Sequence, residues 1–232
     1  MALVLITMGV YLSVILLRRL WSGDDLSHAL RIRQRWCRLA LRILKISVSW
    51  EGFWPQNPVM VECNHRSMMD PVVILAHYTC IPVAKAEIAR YPVLGRAAEA
   101  TGIIFLHRTD PNSRRQTREA IGKWFQRGYS ILIFPEGTTG GEQLTRPFRK
   151  GSFEVALEQD IPVLPLLIEY LDHDVAWESG SMHRHFVTTF GKPSIRVNLK
   201  IGQQILVKDA MQGMDQVKSW MDGHLERTET PG

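Results

Sequence analysis

A histidine and an aspartate five positions apart are the residues of this chain best suited to acid–base chemistry. They are His65 and Asp70, within the stretch VECNHRSMMDPVV at residues 61–73. The apolar residues before them predict a strand, and those after them predict a helix. A strand-to-helix turn can bring the carboxylate to the imidazole Nδ1–H, which fixes the tautomer and leaves Nε2 as a base. The same pattern also fits an aspartate that only caps its helix, beside an ordinary surface histidine.

Two other pairs of side chains could do chemistry, but their patterns are weaker. Cys63 and His65 lie two positions apart on the predicted strand and would share a face. A cysteine among apolar strand residues is usually a small buried hydrophobe, and nothing marks Cys63 as a low-pKa thiol. His183 and His185 could bind a metal, but no acidic or cysteine partner completes such a site. We therefore expect neither a metal nor a cofactor.

The composition is that of one folded domain with an anionic partner. The chain has 232 residues, 45% of them hydrophobic and 22% charged, with a formal net charge of +5. The length is sufficient for one core, and the positive charge favours nucleic acid, an anionic membrane or a phosphorylated substrate. No nucleic-acid-binding motif is present, so we expect no nucleic-acid partner. Cys37, Cys63 and Cys80 have no C-x-x-C spacing, which favours a reducing compartment.

The start of the chain predicts a membrane anchor. Residues 1–17, MALVLITMGVYLSVILL, carry no charge and are followed by Arg18 and Arg19. A helix of this length is about 25 Å long, slightly short of a hydrocarbon core of ~30 Å. The charges follow the apolar run and no A-x-A site appears, which favours a retained anchor over a signal peptide. The arginines would keep the rest of the chain cytoplasmic. A buried core helix is the alternative.

Residues 28–45, HALRIRQRWCRLALRILK, predict a basic amphipathic helix. Its apolar positions recur at helical spacing, beside a parallel basic stripe (Ile32, Trp36, Leu39, Ala40 and Ile43; Arg31, Arg35, Arg38, Arg42 and Lys45). Such a helix either lies on a membrane surface or packs its apolar side on the protein. The apolar segment just upstream favours the membrane, where each cation contributes about 1 kcal/mol.

From residue 58 onward, short apolar runs alternate with helical patterns. The predicted strands are 58–63, 81–85, 102–106, 129–134, 162–168, 186–190 and 194–201, and the predicted helices lie near 69–79, 91–100, 112–127, 150–159 and 212–226. Asn112 is expected to cap the third helix and Gly128 to end it. This order predicts an α/β fold, a mixed and largely parallel sheet with helices on both faces. Such sheets place binding groups beyond the carboxyl ends of their strands.

Four sequence runs carry a resemblance to a known family. They are NHRSMMD (64–70), GIIFLHR (102–108), FPEGTT (134–139) and IPVLP (161–165). In this order and approximate spacing, the chain resembles the 1-acylglycerol-3-phosphate acyltransferases. Their motifs read N-H-x-x-x-x-D, G-x-x-F-x-x-R, F-P-E-G-T-[RS] and a proline-bearing apolar strand. Four ordered motifs are specific where a single one would be weak.

The resemblance implies an O-acyltransferase that moves a fatty acyl group from acyl-CoA or acyl carrier protein to a lysolipid hydroxyl. His65 would be the general base and Asp70 would orient it, without a covalent acyl-enzyme. Arg108 is expected to bind the acceptor phosphate, since a guanidinium contacts phosphate bidentately. The resemblance also implies a substrate site that includes Lys85, Glu136, Gly137 and Thr138, and Arg149 is a further candidate for that site.

One departure from the family bears on the acceptor. Where Arg or Ser often follows FPEGT, this chain has Thr139 and then two glycines. Arg146, Arg149 or Lys150 could supply the missing charge from the same loop. The expected acceptor is 1-acyl-sn-glycerol-3-phosphate, which would give phosphatidic acid. The alternatives are another lysolipid, such as lyso-ornithine lipid, and a membrane-binding module without catalysis.

These interpretations divide the chain into two parts. Residues 1–46 are predicted to form the membrane anchor and the basic amphipathic helix, and residues 47–232 the acyltransferase domain. The membrane lipids, the lysolipid and the acyl donor are the expected partners. The expected location is the cytoplasmic face of the cell membrane.

Overall fold

The computed structural model describes residues 2–22, 25–107, 110–171 and 194–227, and all statements about the fold concern these ranges. The strands are β1 (Ile46–Glu51), β2 (Met60–Cys63), β3 (Cys80–Lys85), β4 (Ile104–Leu106), β5 (Ser130–Ile133), β6 (Val163–Tyr170) and β7 (Ile195–Ile201). The α-helices are α1 (Ala2–Ser22), α2 (Leu26–Ile43), α3 (Asp70–His77), α4 (Pro92–Ala100), α5 (Pro111–Gln126), α6 (Gly151–Glu158) and α7 (Ala210–Arg227). A 3-10 helix, Ala86–Arg90, lies between β3 and α4.

The strands form one sheet in the order β1-β7-β6-β2-β5-β3-β4. Every neighbouring pair is parallel except β6 and β7, which run antiparallel. Successive residues of β2 enter different clusters of the core: Val61 packs with residues of α2 and α3, and Met60 packs with residues of α5, α6 and α7. Because side chains alternate along a strand, helices cover both faces. The predicted mixed, largely parallel α/β sheet is therefore confirmed.

Most of the predicted elements are present, and two details differ. Six predicted strands coincide with β2 to β7. The strand predicted at 186–190 lies outside the described residues. β1 was missed, because polar side chains alternate along it and its partner β7 lies far away in the chain. The cap of α5 is Asp110 rather than Asn112: the Asp110 carboxylate accepts the Asn112 backbone N–H at 2.9 Å, and Pro111 begins the helix. Gly128, at φ +85°, ends it as predicted.

The apolar side of α2 packs on the protein. Its buried residues include Leu30, Cys37 and Leu41, which belong to the two core clusters. Of the two alternatives for this helix, the structure therefore shows the packed one, and an exposed face that carries Arg35 and Arg42 remains available to an anionic surface. The division of the chain into a membrane-attachment part, residues 1–46, and an acyltransferase domain, residues 47–232, stays a prediction.

Two arginines of α2 bind carbonyl groups at or near the ends of α3 and α4. Arg33 donates to the Thr101 carbonyl at 3.2 Å and to the Cys80 carbonyl at 2.5 Å, with a guanidinium that is buried. Arg38 Nε donates to the carbonyl of Ala76, in the last turn of α3, at 2.8 Å. The carboxyl end of a helix leaves carbonyl groups without partners and carries partial negative charge, so these contacts stabilise α3 and α4.

α1 is the one described helix that is long and apolar enough to cross a membrane, judged by length and composition. One side packs on the protein through buried apolar residues (Val4, Met8, Leu12 and Ile15). The other side is apolar and exposed, and at its end the Leu20 and Trp21 side chains are 81% and 91% exposed. An apolar face of this size exposed on a helix is typical of a surface that meets lipid or another protein.

Glu62 is a buried carboxyl group in the centre of the sheet. It lies on the same face of β2 as Met60, and neither of its carboxyl oxygens has a hydrogen-bond partner among the described residues. Burial raises the pKa of Glu62 to about 8, although the neighbouring Ser152 hydroxyl lowers it in part. At neutral pH the folded protein therefore holds this carboxyl group mostly in its protonated, uncharged form.

Replacing Glu62 by glutamine tests this assignment through the pH dependence of stability. Between pH 4.5 and about 8 the unfolded chain releases a proton that the folded chain retains, so the free energy of unfolding falls as pH rises. Glu62→Gln should remove this decline, which we expect to be on the order of a few kcal/mol. Thermal unfolding of the detergent-solubilised protein at both ends of this range measures it. The exposed Glu99→Gln is the matched control, and an unchanged pH dependence in Glu62→Gln would show that Glu62 is ionised in the fold.

Candidate active site

The carboxylate of Asp70 organises the turn between β2 and α3. Its Oδ2 accepts the His65 Nδ1–H at 2.7 Å, the Arg66 backbone N–H at 2.7 Å and the Ser67 backbone N–H at 2.9 Å. Its Oδ1 accepts the Tyr170 hydroxyl at 2.7 Å. The Asp70 side chain is fully buried. All four donors approach a single carboxylate, so the turn folds around it.

This geometry decides between the two sequence interpretations of the His65 and Asp70 pair. Asp70 is the first residue of α3, Met69 precedes the helix, and no side chain caps it. The Asp70 carboxylate instead points back to the residues before the helix. Because Nδ1–H donates to Asp70, Nε2 is the ring nitrogen available to a substrate hydroxyl. The His65 side chain is 15% exposed, so solvent reaches it.

The position of His65 is fixed by a ring contact with Phe134 and by the hydrogen bonds of the preceding residue, Asn64. The imidazole stacks on Phe134, the residue after β5, with ring centroids 4.1 Å apart. Asn64 fixes the chain just before the histidine. Its amide donates to the Ile168 carbonyl at 3.0 Å, and its Oδ1 accepts the Ile168 N–H at 2.7 Å. The Asn64 side chain thus continues the pairing of β2 with β6 beyond the last strand residue, which directs His65 away from the sheet.

Glu136 joins the loop after β5 to the turn after β2. Its Oε1 accepts the His65 backbone N–H at 2.9 Å, and its Oε2 accepts the Arg146 backbone N–H at 3.1 Å. The side chain is buried, and burial raises the pKa of Glu136, while the two N–H donors oppose that shift. Both oxygens therefore already have backbone partners. This arrangement supports a positioning role for Glu136 more directly than the predicted contact with the acceptor.

Glycine shapes the same loop at Gly137. This residue has φ +73°, and its N–H donates to the Phe134 carbonyl at 2.9 Å, which closes a tight turn. Gly140 lies further along, and its N–H donates to the His65 carbonyl at 3.0 Å. Thr138, between them, is half-buried. The predicted substrate residues Gly137 and Thr138 thus lie beside His65.

The cations predicted to bind phosphate are placed only in part. Lys85 ends β3 and is exposed, at the same edge of the sheet as His65, because β2, β5 and β3 are parallel. Arg149 is exposed, and its backbone N–H donates to the Pro135 carbonyl at 2.9 Å. Arg108 lies outside the described residues, two positions beyond the end of β4. The roles of these three side chains stay predictions.

Arg146 and Lys150, two of the three cations that could replace a family arginine after FPEGT, already have partners within the protein. The Arg146 guanidinium donates to the Thr139 carbonyl at 3.2 Å and lies 3.4 Å from the Glu142 carboxylate. The Lys150 ammonium lies 3.0 Å from Glu154. No hydrogen-bond or ion-pair partner of the Arg149 side chain occurs in the described part of the chain. Arg149 is therefore the member of this loop best placed to meet an anion.

The rival chemistry based on Cys63 does not fit the structure. The thiol is fully buried, and burial together with the Asp70 and Glu136 carboxylates raises its pKa well above the ordinary value. A thiol in such surroundings does not supply a thiolate at neutral pH, so the nucleophile interpretation of Cys63 is wrong. His183 and His185, the possible metal ligands, lie outside the described residues.

Several residues of the site carried no sequence signal. Tyr170 lies 100 residues after Asp70 and reads as the end of an apolar strand. Arg66 donates to the carbonyls of Glu142 and Gln143, the latter at 3.0 Å, and so holds the loop that contains Arg146. Arg66 and Phe134 could have been found, because they belong to the NHRSMMD and FPEG runs, but their partners could not. Partners so distant in sequence become visible only when the sheet is assembled.

Comparison with known proteins agrees with this site. The model of the acyltransferase family matches residues 45–169. A lyso-ornithine lipid O-acyltransferase of Pseudomonas aeruginosa is 30% identical over 170 residues, 73% of this chain and 66% of that protein. A 1-acyl-sn-glycerol-3-phosphate acyltransferase of Neisseria gonorrhoeae is 31% identical over 135 residues, 57% of this chain and 53% of that protein. This chain thus spans between about half and two thirds of the length of these two relatives.

The fold has a counterpart among solved structures. The crystal structure of a 1-acyl-sn-glycerophosphate acyltransferase from Thermotoga maritima superposes with a TM-score of 0.73 at 20% sequence identity, covering 97% of this chain and 91% of that one. The family model covers more than half of the chain and includes the whole His65–Asp70 turn and the FPEG loop. The chain therefore belongs to the acyltransferase family, and the resemblance inferred from its motifs is confirmed.

Glu136→Gln separates the two roles of this residue. The amide offers one acceptor where the carboxylate offers two, so a buried backbone N–H loses its partner, at a cost of about 1–3 kcal/mol. If Glu136 positions His65, kcat for acyl transfer should fall about tenfold, with little change in the acceptor KM. Glu142→Gln is the matched control, because Glu142 is an exposed glutamate of the same loop whose loss should be nearly neutral. A raised acceptor KM with unchanged kcat would instead assign Glu136 to substrate binding.

Proposed function

We propose that this chain is an O-acyltransferase that transfers a fatty acyl group from a thioester to the free hydroxyl of a lysolipid. The observation that carries the proposal is the hydrogen bond between His65 and a fully buried Asp70 at the carboxyl end of β2. Membership of the acyltransferase family supports the same activity. Parallel sheets present their reactive groups at this edge, beyond the carboxyl ends of the strands.

The reaction needs a base because an alcohol is a poor nucleophile while it keeps its proton. His65 Nε2 accepts that proton as the hydroxyl oxygen attacks the thioester carbonyl carbon. The new carbon–oxygen bond forms, the carbon–sulfur bond breaks, and the thiolate leaves with the proton that His65 returns. Asp70 holds the ring in the tautomer that exposes Nε2 and stabilises the imidazolium that forms. The acyl group passes directly to the acceptor, which is consistent with the inert, buried Cys63.

The first candidate acceptor is 1-acyl-sn-glycerol-3-phosphate, which would give phosphatidic acid. An acceptor phosphate needs cations near His65. Arg149 and Lys85 are exposed on the loop after β5 and at the end of β3, and Arg108 would follow β4. A phosphate bound by a guanidinium is held in two parallel hydrogen bonds, which favours the arginines over the lysine as the principal contact.

A second acceptor, lyso-ornithine lipid, is favoured by one feature of the chain. The position after FPEGT holds Thr139 instead of a family Arg or Ser, and the Arg146 guanidinium turns back to the Thr139 carbonyl. The loop thus offers less positive charge to a phosphate than it would with an arginine at position 139. The relative from Pseudomonas aeruginosa described above, which matches 73% of this chain, is named for this activity. The acyl donor in either case is acyl-CoA or acyl carrier protein.

The proposed location is the cytoplasmic face of the cell membrane. The exposed apolar side of α1 provides the surface that meets lipid, and the exposed arginines of α2 add attraction to anionic headgroups. Both substrates of the proposed reaction have acyl chains, so attachment to the membrane brings the site to its acceptor. The alternative of a membrane-binding module without catalysis gives no reason for the His65–Asp70 pair.

An acceptor panel tests the activity and ranks the acceptors. Purified full-length protein would be incubated with labelled acyl-CoA, or acyl carrier protein, and either 1-acyl-sn-glycerol-3-phosphate, lyso-ornithine lipid or a zwitterionic lysophospholipid. We expect turnover with one of the first two. His65→Ala should lower it at least about 10²-fold without loss of folding, because the base acts in the transition state. His77→Ala, at a histidine on the last turn of α3, is the control. Equal product from His65→Ala, or none with any acceptor, would contradict the proposal.

A salt wash tests the attachment to the membrane. The full-length protein should stay with membranes in about 1 M salt, where the Debye length is ~3 Å, and should need detergent for release. Salt weakens the contribution of the arginines but leaves the burial of the apolar α1 face intact. A variant with Leu16 and Leu20, both exposed on α1, changed to glutamate should be released by the wash. Release of most of the unaltered protein by salt alone would contradict the apolar attachment.

A further inference from the structure

Tyr170 reaches the proposed catalytic pair from a different strand. It is the last residue of β6, and its hydroxyl donates to Asp70 Oδ1 at 2.7 Å. His65 uses the other oxygen of the same carboxylate, Oδ2, at the same distance of 2.7 Å. The carboxylate is thus held between an imidazole on one side and a phenol on the other.

The register of the sheet explains how Tyr170 reaches this position. β2 ends at Cys63, which pairs with Leu166, whereas β6 continues to Tyr170 and pairs there with Val197 of β7. The last residues of β6 therefore overhang the turn that follows β2. Asn64 pairs with the backbone of Ile168. Tyr170 lies two positions further along β6, so the side chains of Ile168 and Tyr170 project from the same face of that strand.

The direction of this hydrogen bond is fixed. Burial and the neighbouring Asp70 charge raise the pKa of Tyr170 well above its ordinary value, so the phenol keeps its proton at any working pH. An ionised carboxylate has only acceptors, and the phenol is then its donor. A neutral donor on one oxygen stabilises the negative charge of Asp70 and withdraws part of it from the oxygen that faces His65.

We propose that Tyr170 is a positioning residue for the His65–Asp70 pair, which fixes the carboxylate and sets how strongly it holds the protonated imidazole. The catalytic consequence rests on the proposed acyltransferase function, whereas the effect on His65 protonation does not. Without the phenol, one oxygen of a buried carboxylate loses its partner. More of the negative charge then lies on the oxygen that faces His65, so Asp70 holds the imidazolium more tightly and His65 is less available as a neutral base.

Three other ionisable groups lie near the pair: Cys63, Glu136 and Arg66. Cys63 of β2 has its pKa raised well above the ordinary value by burial, and stays neutral. Glu136, from the loop after β5, faces the His65 backbone N–H, and its pKa is raised by burial. Arg66, in the turn itself, directs its guanidinium to carbonyls of the loop after β5. Tyr170→Phe leaves all three in place, so a change in His65 protonation reports the lost phenol hydroxyl.

Tyr170→Phe is the decisive variant. Because hydrogen bonds to charged groups are strong, kcat should fall about tenfold or more, with both KM values changed less than about twofold. The ascending limb of the rate against pH should move to higher pH, because the imidazolium is held more firmly. Asp70→Asn alone should retain little activity, and adding Tyr170→Phe to it should not lower kcat further.

A matched control distinguishes this role from general stability. Tyr78 is another part-buried tyrosine, whose hydroxyl lies 2.6 Å from the Ser130 hydroxyl and which makes no contact with the pair. Tyr78→Phe likewise removes a single hydrogen bond of a part-buried tyrosine hydroxyl, here to a neutral partner, and should leave the pH profile unchanged. If the two variants give equal kcat values and equal pH profiles, Tyr170 has only a structural role and the proposal is overturned.

A measurement that needs no activity keeps this inference separate from the proposed function. The ring signals of His65 can be followed by NMR against pH in histidine-labelled protein. The signals that are missing from the spectrum of His65→Ala are assigned to His65. We expect the His65 midpoint to move to higher pH in Tyr170→Phe and not in Tyr78→Phe. A shifted midpoint in a protein that acylates no lysolipid would support the Tyr170 role while overturning the function. An unshifted midpoint overturns the Tyr170 role whatever the activity.

Discussion

The burial of the Asp70 carboxylate is the constraint around which the site is built. A charge removed from water is costly unless it is fully hydrogen-bonded, and Asp70 is fully buried. Four donors satisfy it: the His65 ring, the backbone N–H groups of Arg66 and Ser67, and the Tyr170 hydroxyl. These donors come from the turn after β2 and from the end of β6. The turn, the start of α3 and the overhang of β6 must therefore all adopt one arrangement, and that arrangement leaves the proposed base, His65, partly exposed.

A second layer of contacts fixes the loop after β5 against the same turn. Glu136 bridges His65 and Arg146 through their backbone N–H groups. The next residue back, Thr145, is bound by α7: the Asp222 carboxylate accepts its N–H at 2.9 Å and its hydroxyl at 2.7 Å. Burial alone would raise the pKa of Asp222, but its bonds to Lys218 and Thr145 hold the pKa below the ordinary value. α7, the last helix that the structure describes, thus supports the loop that contacts the proposed base.

The first two helices combine attachment to the core with an exposed basic and apolar surface. Arg19 binds the Ala100 carbonyl at 3.0 Å, and Arg33 and Arg38 bind carbonyls near the ends of α4 and α3. Charges that a membrane-surface helix would direct to lipid are here partly used inside the protein. α1 packs on α2 and α4, so under the proposed attachment to lipid this packing sets the orientation of the site relative to the bilayer.

The sequence by itself determined the features that depend on near neighbours. The alternation of apolar runs and helical patterns predicted the α/β sheet, and NHRSMMD with FPEGTT predicted the His65–Asp70 pair and its loop. Tertiary structure alone decided the others. β1 is polar at alternate positions and is recognisable only beside β7, the packed side of α2 depends on α3, and Glu136 and Tyr170 contact the site from distant segments. Periodicity is a local property of a chain, whereas hydrogen-bond partners across a sheet are set by strand order and register. For that reason the sequence indicated which residue is the proposed base, and only the fold showed what holds it in place.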